Sequence, residues 1–484
     1  MSTPSFSVPR VTVSALKGGA GKTLVTLGIL HGLRRSGLRV IPFKKGPDYI
    51  DAGWLGIVAG HSCYNLDPFM MSGEVLEASF VFRSQGADLA LLEGNRGLFD
   101  GADVEGSCST AELAKRLRSP VILVLDCTKV TRTVAAQVLG CLHFDPQLDI
   151  RGVVLNRVAR SRHERIVRES VEKYCGLPVL GVIPRVATFL PMRHLGLLPW
   201  QEHEERSRVL ETLEAKILAN LDLSAIIDIA RQAPPLPSPV TGQTQKKTPA
   251  RIKVGILRDA AFQFYYPENL EALSAQGAEL VFIDALSARG LPPIDALYIG
   301  GGFPETQAEA LEANVSFRKD LHQAIRYGLP VYAECGGLMY LGRKIIYQGR
   351  FFEMVGALPV DFEVCSKPQG HGYVVLKVEG PNPFYSPGLE IIGHEFHYSR
   401  PQGSADLSFA FKVLRGHGVD GRHDGIVQGN VLGMYTHIHA LGFLHWAPAI
   451  VRLAEEFRRT GAISSRGNPL IRALSLAKEE TKDL

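Results

Sequence analysis

The stretch Arg10-Val-Thr-Val-Ser-Ala-Leu-Lys17-Gly-Gly-Ala-Gly-Lys22-Thr23, continued by Leu-Val-Thr-Leu-Gly-Ile-Leu-His-Gly-Leu-Arg-Arg35, decides the fold. The apolar run 11–15 predicts a strand covered on both faces, and 23–35 predicts a helix, with a glycine-rich turn between them. The pattern repeats downstream. Strands are predicted at 39–43, 89–93, 121–126, 152–156 and 178–182, each a continuous apolar run of the kind found in a doubly wound parallel sheet. A second series, at 252–257, 279–283, 296–299 and 330–333, is also α/β. Shorter β segments follow at 372–377, 391–394, 426–428 and 431–434, where some antiparallel pairing is expected. The fold class is therefore α/β twice over.

Between the two series lies 233–250, APPLPSPVTGQTQKKTPA, rich in Pro, Thr and Gln and without apolar periodicity. Such a segment buries almost nothing and reads as a linker. It separates a domain over 1–232 from one over 251–460, and the polar 461–484 reads as a tail. The composition of the 484 residues, 45% hydrophobic and 21% charged, excludes a wholly disordered, collagen-like or coiled-coil chain. A net charge of +4 is too mild for a nucleic-acid footprint. No apolar run approaches the roughly 18 residues of a membrane span. The seven cysteines include no C-x-x-C pair, which argues against a disulfide framework or a structural zinc site. A cytoplasmic protein with no membrane partner is expected.

The turn Lys17-Gly18-Gly19-Ala20-Gly21-Lys22-Thr23 sits where a phosphate loop must, between strand and helix. Glycines let backbone N–H groups curl around a phosphate, and the helix N-terminus adds partial positive charge. Lys22 is expected on the terminal phosphates and Thr23 on Mg²⁺, so ATP and Mg²⁺ are the expected cofactors. Leu16 stands where the strict pattern requires glycine, which makes this a deviant form. The matching lysine of deviant phosphate-loop ATPases of the partitioning and nitrogenase-iron-protein type reaches a partner subunit's nucleotide. For Lys17 that resemblance implies a homodimer, while contact with its own phosphates stays equally open. Glu93 ends a buried strand at the ligand crevice and is the leading Mg²⁺ candidate, with Asp126 the weaker one. Asn156 ends another strand and could meet a base edge or merely cap a turn. The segment Pro42–Asp51 puts Lys44, Lys45, Asp48, Tyr49 and Asp51 at the same crevice. We assign Lys44, Asp48, Tyr49 and Asp51 to the acid substrate, and Asp48 also to the metal beside Thr23 and Glu93.

In the second domain, Pro330-Val-Tyr-Ala-Glu-Cys335-Gly336-Gly337-Leu-Met reads as strand, sharp turn, helix, with Cys335 as nucleophile on the elbow. A helix N-terminus there is expected to lower the thiol pKa. Gly301 and Gly302, from the loop after strand 296–299, and Gly336 are the candidate oxyanion-hole donors. A thiol nucleophile needs a base. His437, in Tyr435-Thr-His-Ile-His439, is chosen, with His394, His397 and His439 as competitors. A Cys–His pair with an oxyanion hole performs acyl transfer from an amide or ester, the chemistry that frees ammonia from glutamine.

Taken together the motifs resemble the cobyrinate a,c-diamide synthases over nearly the whole chain. The matching stretches are the phosphate loop, FKKGPDYIDAG, Asn65–Asp67, LLEGNRGLFDG, VVLNRV, Arg193–Pro199, Arg258–Leu270, IGGGFPE, YAECGGLMYL, GHEFHYS and YTHIH. The resemblance implies a dethiobiotin-synthetase-like first domain and a class I glutamine amidotransferase second domain. That family uses a Cys–His pair and lacks the usual third acid, and here His439 stands two residues after His437. The implied reaction phosphorylates an acetate side chain of a tetrapyrrole polycarboxylate, and ammonia from glutamine then displaces phosphate. Two rounds give the a,c-diamide. Three departures surround the first domain's crevice: Lys17 replaces a small residue, Asn95-Arg96 interrupt the glutamate motif, and Ala52-Gly-Trp54 follow the second loop. They keep sirohaem or nickel-sirohydrochlorin open as acceptors beside cobyrinate. Two rivals also stand: a partitioning-type ATPase with an amidotransferase-like regulatory module, and a dethiobiotin-synthetase-like enzyme acting on another acid.

Overall fold

The computed structural model describes residues 5–185, 192–193, 196–197, 206–237, 249–403 and 407–460. Most of the linker, the tail 461–484 and part of the Arg193–Pro199 motif lie outside the described residues. The chain forms two compact units. The first is Met1–Gln245 with Phe264–Glu268, and the second is Lys246–Gln263 with Asn269–Leu484.

The first unit is built on seven parallel strands: β1 Arg10–Ala15, β2 Val40–Lys45, β3 Tyr64–Leu66, β4 Leu89–Glu93, β5 Val121–Asp126, β6 Ile150–Val158 and β7 Val179–Pro184. Their order across the sheet is β3-β2-β4-β1-β5-β6-β7. Every residue of β1, β2 and β4 is buried, as continuous apolar runs require. Helix α1 Lys22–Arg35 follows β1 and packs Val25, Leu27, Ile29, Leu30 and Leu33 into the core on one face. Helix α2 Tyr49–Ala59 follows β2. The strand order reverses at β1, so the ligand crevice of such a sheet falls at the carboxyl ends of β1, β4 and β5. Two differences from the sequence reading matter here. β2 runs on to Lys45, so Lys44 and Lys45 end a strand instead of sitting on a loop. β3 was not expected; three residues are too few to show a period.

The second unit carries a ten-stranded mixed sheet of β8 Ile252–Leu257, β9 Ala278–Ile283, β10 Ala296–Ile299, β11 Val331–Glu334, β12 Gly370–Val378, β13 Glu390–His397, β14 Ser408–Arg415, β15 His423–Gln428, β16 Val431–Met434 and β17 His437–Ile438. The order is β9-β8-β10-β11-β16-β15-β14-β12-β13-β17. The first five strands are parallel and the rest antiparallel. Only two residues, Tyr435 and Thr436, separate the end of β16 from β17, so Met434 and His437 lie three steps apart, at most about 11 Å. In a flat sheet β17 would lie about 24 Å from β16, five strand spacings away. The sheet therefore curls until its last edge returns beside its middle, and that curl carries His437 to the end of β11. Among the described residues no helix is long and apolar enough to cross a membrane.

Candidate active sites

In the first unit the chain leaves β1 into the phosphate loop. Building a Cβ onto Gly18 or Gly19 meets nothing within 4 Å, so the loop faces open space as a phosphate cradle must. Gly21 is different. At φ +96 it is left-handed, and a Cβ there would stand 2.1 Å from the Asn156 amide nitrogen. Asn156 is buried, and its amide donates to Ala20 O (2.8 Å) while its Oδ1 accepts from Arg157 N (2.9 Å). It thus braces the loop from beneath, nearer to the turn residue than to the base-edge contact, both of which the sequence left open. Lys22 Nζ donates to Arg96 O (2.6 Å) and Lys17 O (3.3 Å). Burial, helped by the nearby Lys44 charge, lowers its pKa.

Next to the loop stands a buried lysine among acids. Lys44, 1% exposed, places Nζ 2.5 Å from Glu93 Oε1 and 2.6 Å from Asp51 Oδ2. The pairing of β2 with β4 sets Lys44 directly opposite Glu93. Thr23 Oγ1 donates to Glu93 Oε1 (2.9 Å) and lies 3.2 Å from Asp51 Oδ2. Burial alone would depress the lysine, but Asp51 and Glu93 outweigh it and hold its pKa well above the usual value. Burial raises Glu93. Asp51 stays low because Lys44 overcomes its burial. Asp48, raised to about 7 by burial and the neighbouring Asp51, accepts from Asp51 N (3.0 Å) and so caps α2. Asp51, expected on the substrate, stands with Thr23 and Glu93 where Asp48 was expected, while Asp48 holds the helix end. Tyr49 opens α2, half-buried. Among the described residues no three His, Cys, Asp or Glu side chains converge as a metal site. Asp126 pairs with Lys17 (3.4 Å) and Arg157 (2.8 Å), and Lys17 itself is 67% exposed.

In the second unit β11 ends at Glu334, and Cys335 takes φ 47 and ψ −100, left-handed for a residue with a Cβ. Such a conformation costs about 1–3 kcal/mol and marks a nucleophile elbow. Helix α3 Gly336–Leu341 follows. A Cβ on Gly336 would stand 3.1 Å from Gly302 N, so the expected oxyanion glycines Gly302 and Gly336 are in contact, with Gly301 adjacent in the chain. Gly302 (φ +153) has no room either: a Cβ would lie 2.1 Å from Ala261 O. Cys335 N donates to Met434 O (2.7 Å), which ties the elbow to the end of β16. The expected lowering of the thiol pKa does not occur. Burial, then the Glu305 charge, pushes it far up, and α3 has only six residues.

His437 is buried and presents Nδ1 to Glu334 Oε2 at 3.1 Å. Among its competitors, His397 bonds Ser399 O through Nδ1 (2.8 Å) and stacks on Tyr435, while His439 Nδ1 accepts from Leu441 N (3.2 Å). His394 lies opposite His437 in the β13–β17 register. Sequence reasoning passed over Glu334. Its one signal was an acid immediately before the nucleophile, and its partner lies 103 residues away.

A cradle open for phosphates beside a lysine–carboxylate cluster, and a strained cysteine elbow against paired glycines, fit an ATP-dependent ligase that takes its amide nitrogen from glutamine. Residues 11–197 match the CobQ/CobB/MinD/ParA nucleotide binding domain, and 253–444 match the CobB/CobQ-like glutamine amidotransferase domain. The chain is 44% identical over 458 residues to the cobyrinate a,c-diamide synthase of Magnetococcus marinus, covering 93% of this chain and 98% of that one. It is 43% identical to the synthase of Archaeoglobus fulgidus (90% and 95% covered) and 36% identical to that of Methanosarcina acetivorans (95% and 98%). The chain belongs to the cobyrinate a,c-diamide synthase family.

Proposed function

We propose that the protein converts the a and c acetate carboxylates of cobyrinate to amides, using ATP and glutamine. The observation that carries this reading is the identity of 43–44% across nearly the full length of two cobyrinate a,c-diamide synthases. Each round begins with transfer of the terminal phosphate of ATP to a carboxylate oxygen, and ammonia then displaces that phosphate. Lys22 and the N–H groups of Gly18, Gly19 and Gly21 bind the phosphates. The buried lysines Lys44 and Lys45 offset the repulsion between ATP and an anionic acceptor.

The residues fit Mg²⁺, which binds one or two carboxylates together with substrate phosphates. Thr23, Glu93 and Asp51 would hold it, and Glu93 Oε2 is buried without a hydrogen-bond partner. When bound, the ion would neutralise charge developing on the phosphates. Lys44 already bonds the same two carboxylates. In the other unit Cys335 attacks the glutamine carbonyl, His437 moves the proton, and Gly302 and Gly336 N–H groups receive the oxyanion. The exposure of Lys17 supports its reaching either its own phosphates or those of a second copy in a homodimer. The near-balanced charge supports a protein without nucleic-acid partners, and seven cysteines without a C-x-x-C pair suit the cytoplasm.

The test is to incubate the protein with ATP, Mg²⁺ and glutamine plus, in turn, cobyrinate, sirohaem or nickel-sirohydrochlorin, and to weigh the products. Two successive losses of about one mass unit, on cobyrinate alone, are expected. No amidated cobyrinate would remove the assignment.

A further inference from the structure

We infer that Glu334 completes the glutaminase as a positioning residue. Its carboxylate receives Nδ1–H of His437 and thereby presents Nε2 to the thiol of Cys335. The inference deepens the reading of Cys335 and His437 as nucleophile and base, and rests on it. No acid follows His437 at the spacing where this chemistry usually has one. The residue there is His439, buried and engaged with Leu441 N. The acid comes instead from the nucleophile's own strand. Glu334 is the last residue of β11, and the elbow turns immediately after it.

The surroundings of this carboxylate are donors. Tyr298 O–H reaches Oε2 (3.3 Å) and Ile438 N–H reaches Oε1 (3.4 Å). Added to Nδ1 at 3.1 Å, they suit an acceptor-only group, which a carboxylate is. The backbone that carries the imidazole is held as well. Asn269 donates to Ile438 O (2.7 Å) and accepts from Ala440 N (2.7 Å), clamping the segment that carries His437. Glu334 and His437 side chains are each 2% exposed, so the contact is shielded from bulk solvent. A buried carboxylate is an expensive filler. Glutamine in the same space would turn one of the two acceptors into an NH2 donor facing another donor. Acceptance at both Oε1 and Oε2, with Nδ1–H among the donors, calls for the acid.

The chemistry needs that orientation. Burial keeps the Cys335 thiol protonated, and burial lowers His437 to about 3, so the imidazole enters as the neutral base. Burial also raises Glu334, against the donors from Ile438 and Tyr298. Whether the carboxyl is ionised or protonated at this contact decides function. With the proton on Nδ1, Nε2 is an acceptor. As the S–C bond forms, the thiol proton passes to Nε2 and the carbonyl electron pair moves onto oxygen. Collapse breaks the C–N bond, and the Nε2 proton leaves with ammonia. Water then cleaves the thioester by the same route, giving glutamate and the free thiol. If the carboxyl takes up a second proton, on Oε2, Nδ1 becomes the acceptor, Nε2 carries the imidazole's own hydrogen, and the sequence cannot start.

The experiment compares glutamine hydrolysis by the full chain with that of Glu334→Gln, Glu334→Asp and Cys335→Ala. Alongside it, ¹⁵N-histidine spectra are recorded of the unaltered chain, with His437 assigned by its loss in His437→Gln. Expected for Glu334→Gln is a fall in kcat of about 10²–10⁴ with KM for glutamine unchanged, the signature of a wrong tautomer. Glu334→Asp should recover part of that loss, and His437 should appear as the Nδ1–H tautomer. Glu334→Gln within about threefold of the parent kcat, while Cys335→Ala is inactive, would overturn the inference. So would an Nε2–H tautomer in the unaltered chain, a measurement that decides even if the Gln variant does not fold. Glutamine hydrolysis surviving in Cys335→Ala would instead overturn the underlying site.

Discussion

Replacing Lys44 by methionine removes the one cation held between Glu93 and Asp51 and leaves their charge buried with similar side-chain bulk. The cheapest relief is for a carboxyl in the cluster to take up a proton. At pH 7.5 an ordinary carboxyl of pKa about 4.3 pays 1.36 kcal/mol per pH unit for that, about 4 kcal/mol in all. At pH 5.5 the same step costs about 1.6 kcal/mol. The result agrees with the roughly 3–5 kcal/mol expected for breaking a buried pair. The sign follows from proton counts. The folded variant binds a proton that its unfolded chain does not, so its stability falls as pH rises through this window. In the parent, the raised pKa of Lys44 keeps the ammonium in place throughout, and its contribution fades only when pH rises through that raised value. Hydrogen exchange of the β2 and β4 amides reads the opening of this unit by itself. The expected loss is about 4 kcal/mol at pH 7.5, shrinking by about 1.4 kcal/mol for each unit of acidification. A loss below about 1 kcal/mol, or one independent of pH, would refute the account of Lys44 as the cluster's counter-charge.

Other outcomes follow from the same geometry. Lys22→Ala should stop amidation while glutamine hydrolysis continues, measured as product amide against glutamate release. His437→Ala should cut glutamine hydrolysis by about 10³ or more, and amidation driven by added ammonium salt should persist. If the variant cannot use free ammonia, the division of work between the units fails. Gly302→Ala forces a Cβ to within 2.1 Å of Ala261 O, so the loop must shift. A fall in glutaminase kcat of about 10²–10³ is expected, the usual cost of a lost oxyanion donor.

What could be read from the sequence was whatever is local. The phosphate loop, the elbow at Cys335 and the strands leading into both declare themselves within a dozen residues, because turn chemistry and apolar runs are short-range. Asp48-Tyr-Ile-Asp51 also held a legible signal. An acid followed three residues later by another is a capping pattern, and it would have assigned Asp48 to the helix end and Asp51 to the site. Other features depend on pairing across the chain. Lys44 meets Glu93 because β2 lies beside β4, and no spacing announces that register. Glu334 meets His437 because a ten-stranded sheet curls back on itself. The thiol pKa went astray for a related reason: local reading weighed a helix terminus, whereas burial by the whole unit dominates.

The central claim is that one chain cleaves glutamine at Cys335 and delivers its nitrogen to a carboxylate energised by ATP. Glutamine labelled with ¹⁵N at the amide, supplied with ATP, Mg²⁺ and cobyrinate, tests it directly. The account predicts a product carrying two labelled nitrogens, and none from Cys335→Ala unless ammonium is added. Labelled diamide formed by Cys335→Ala at the parent rate would contradict it.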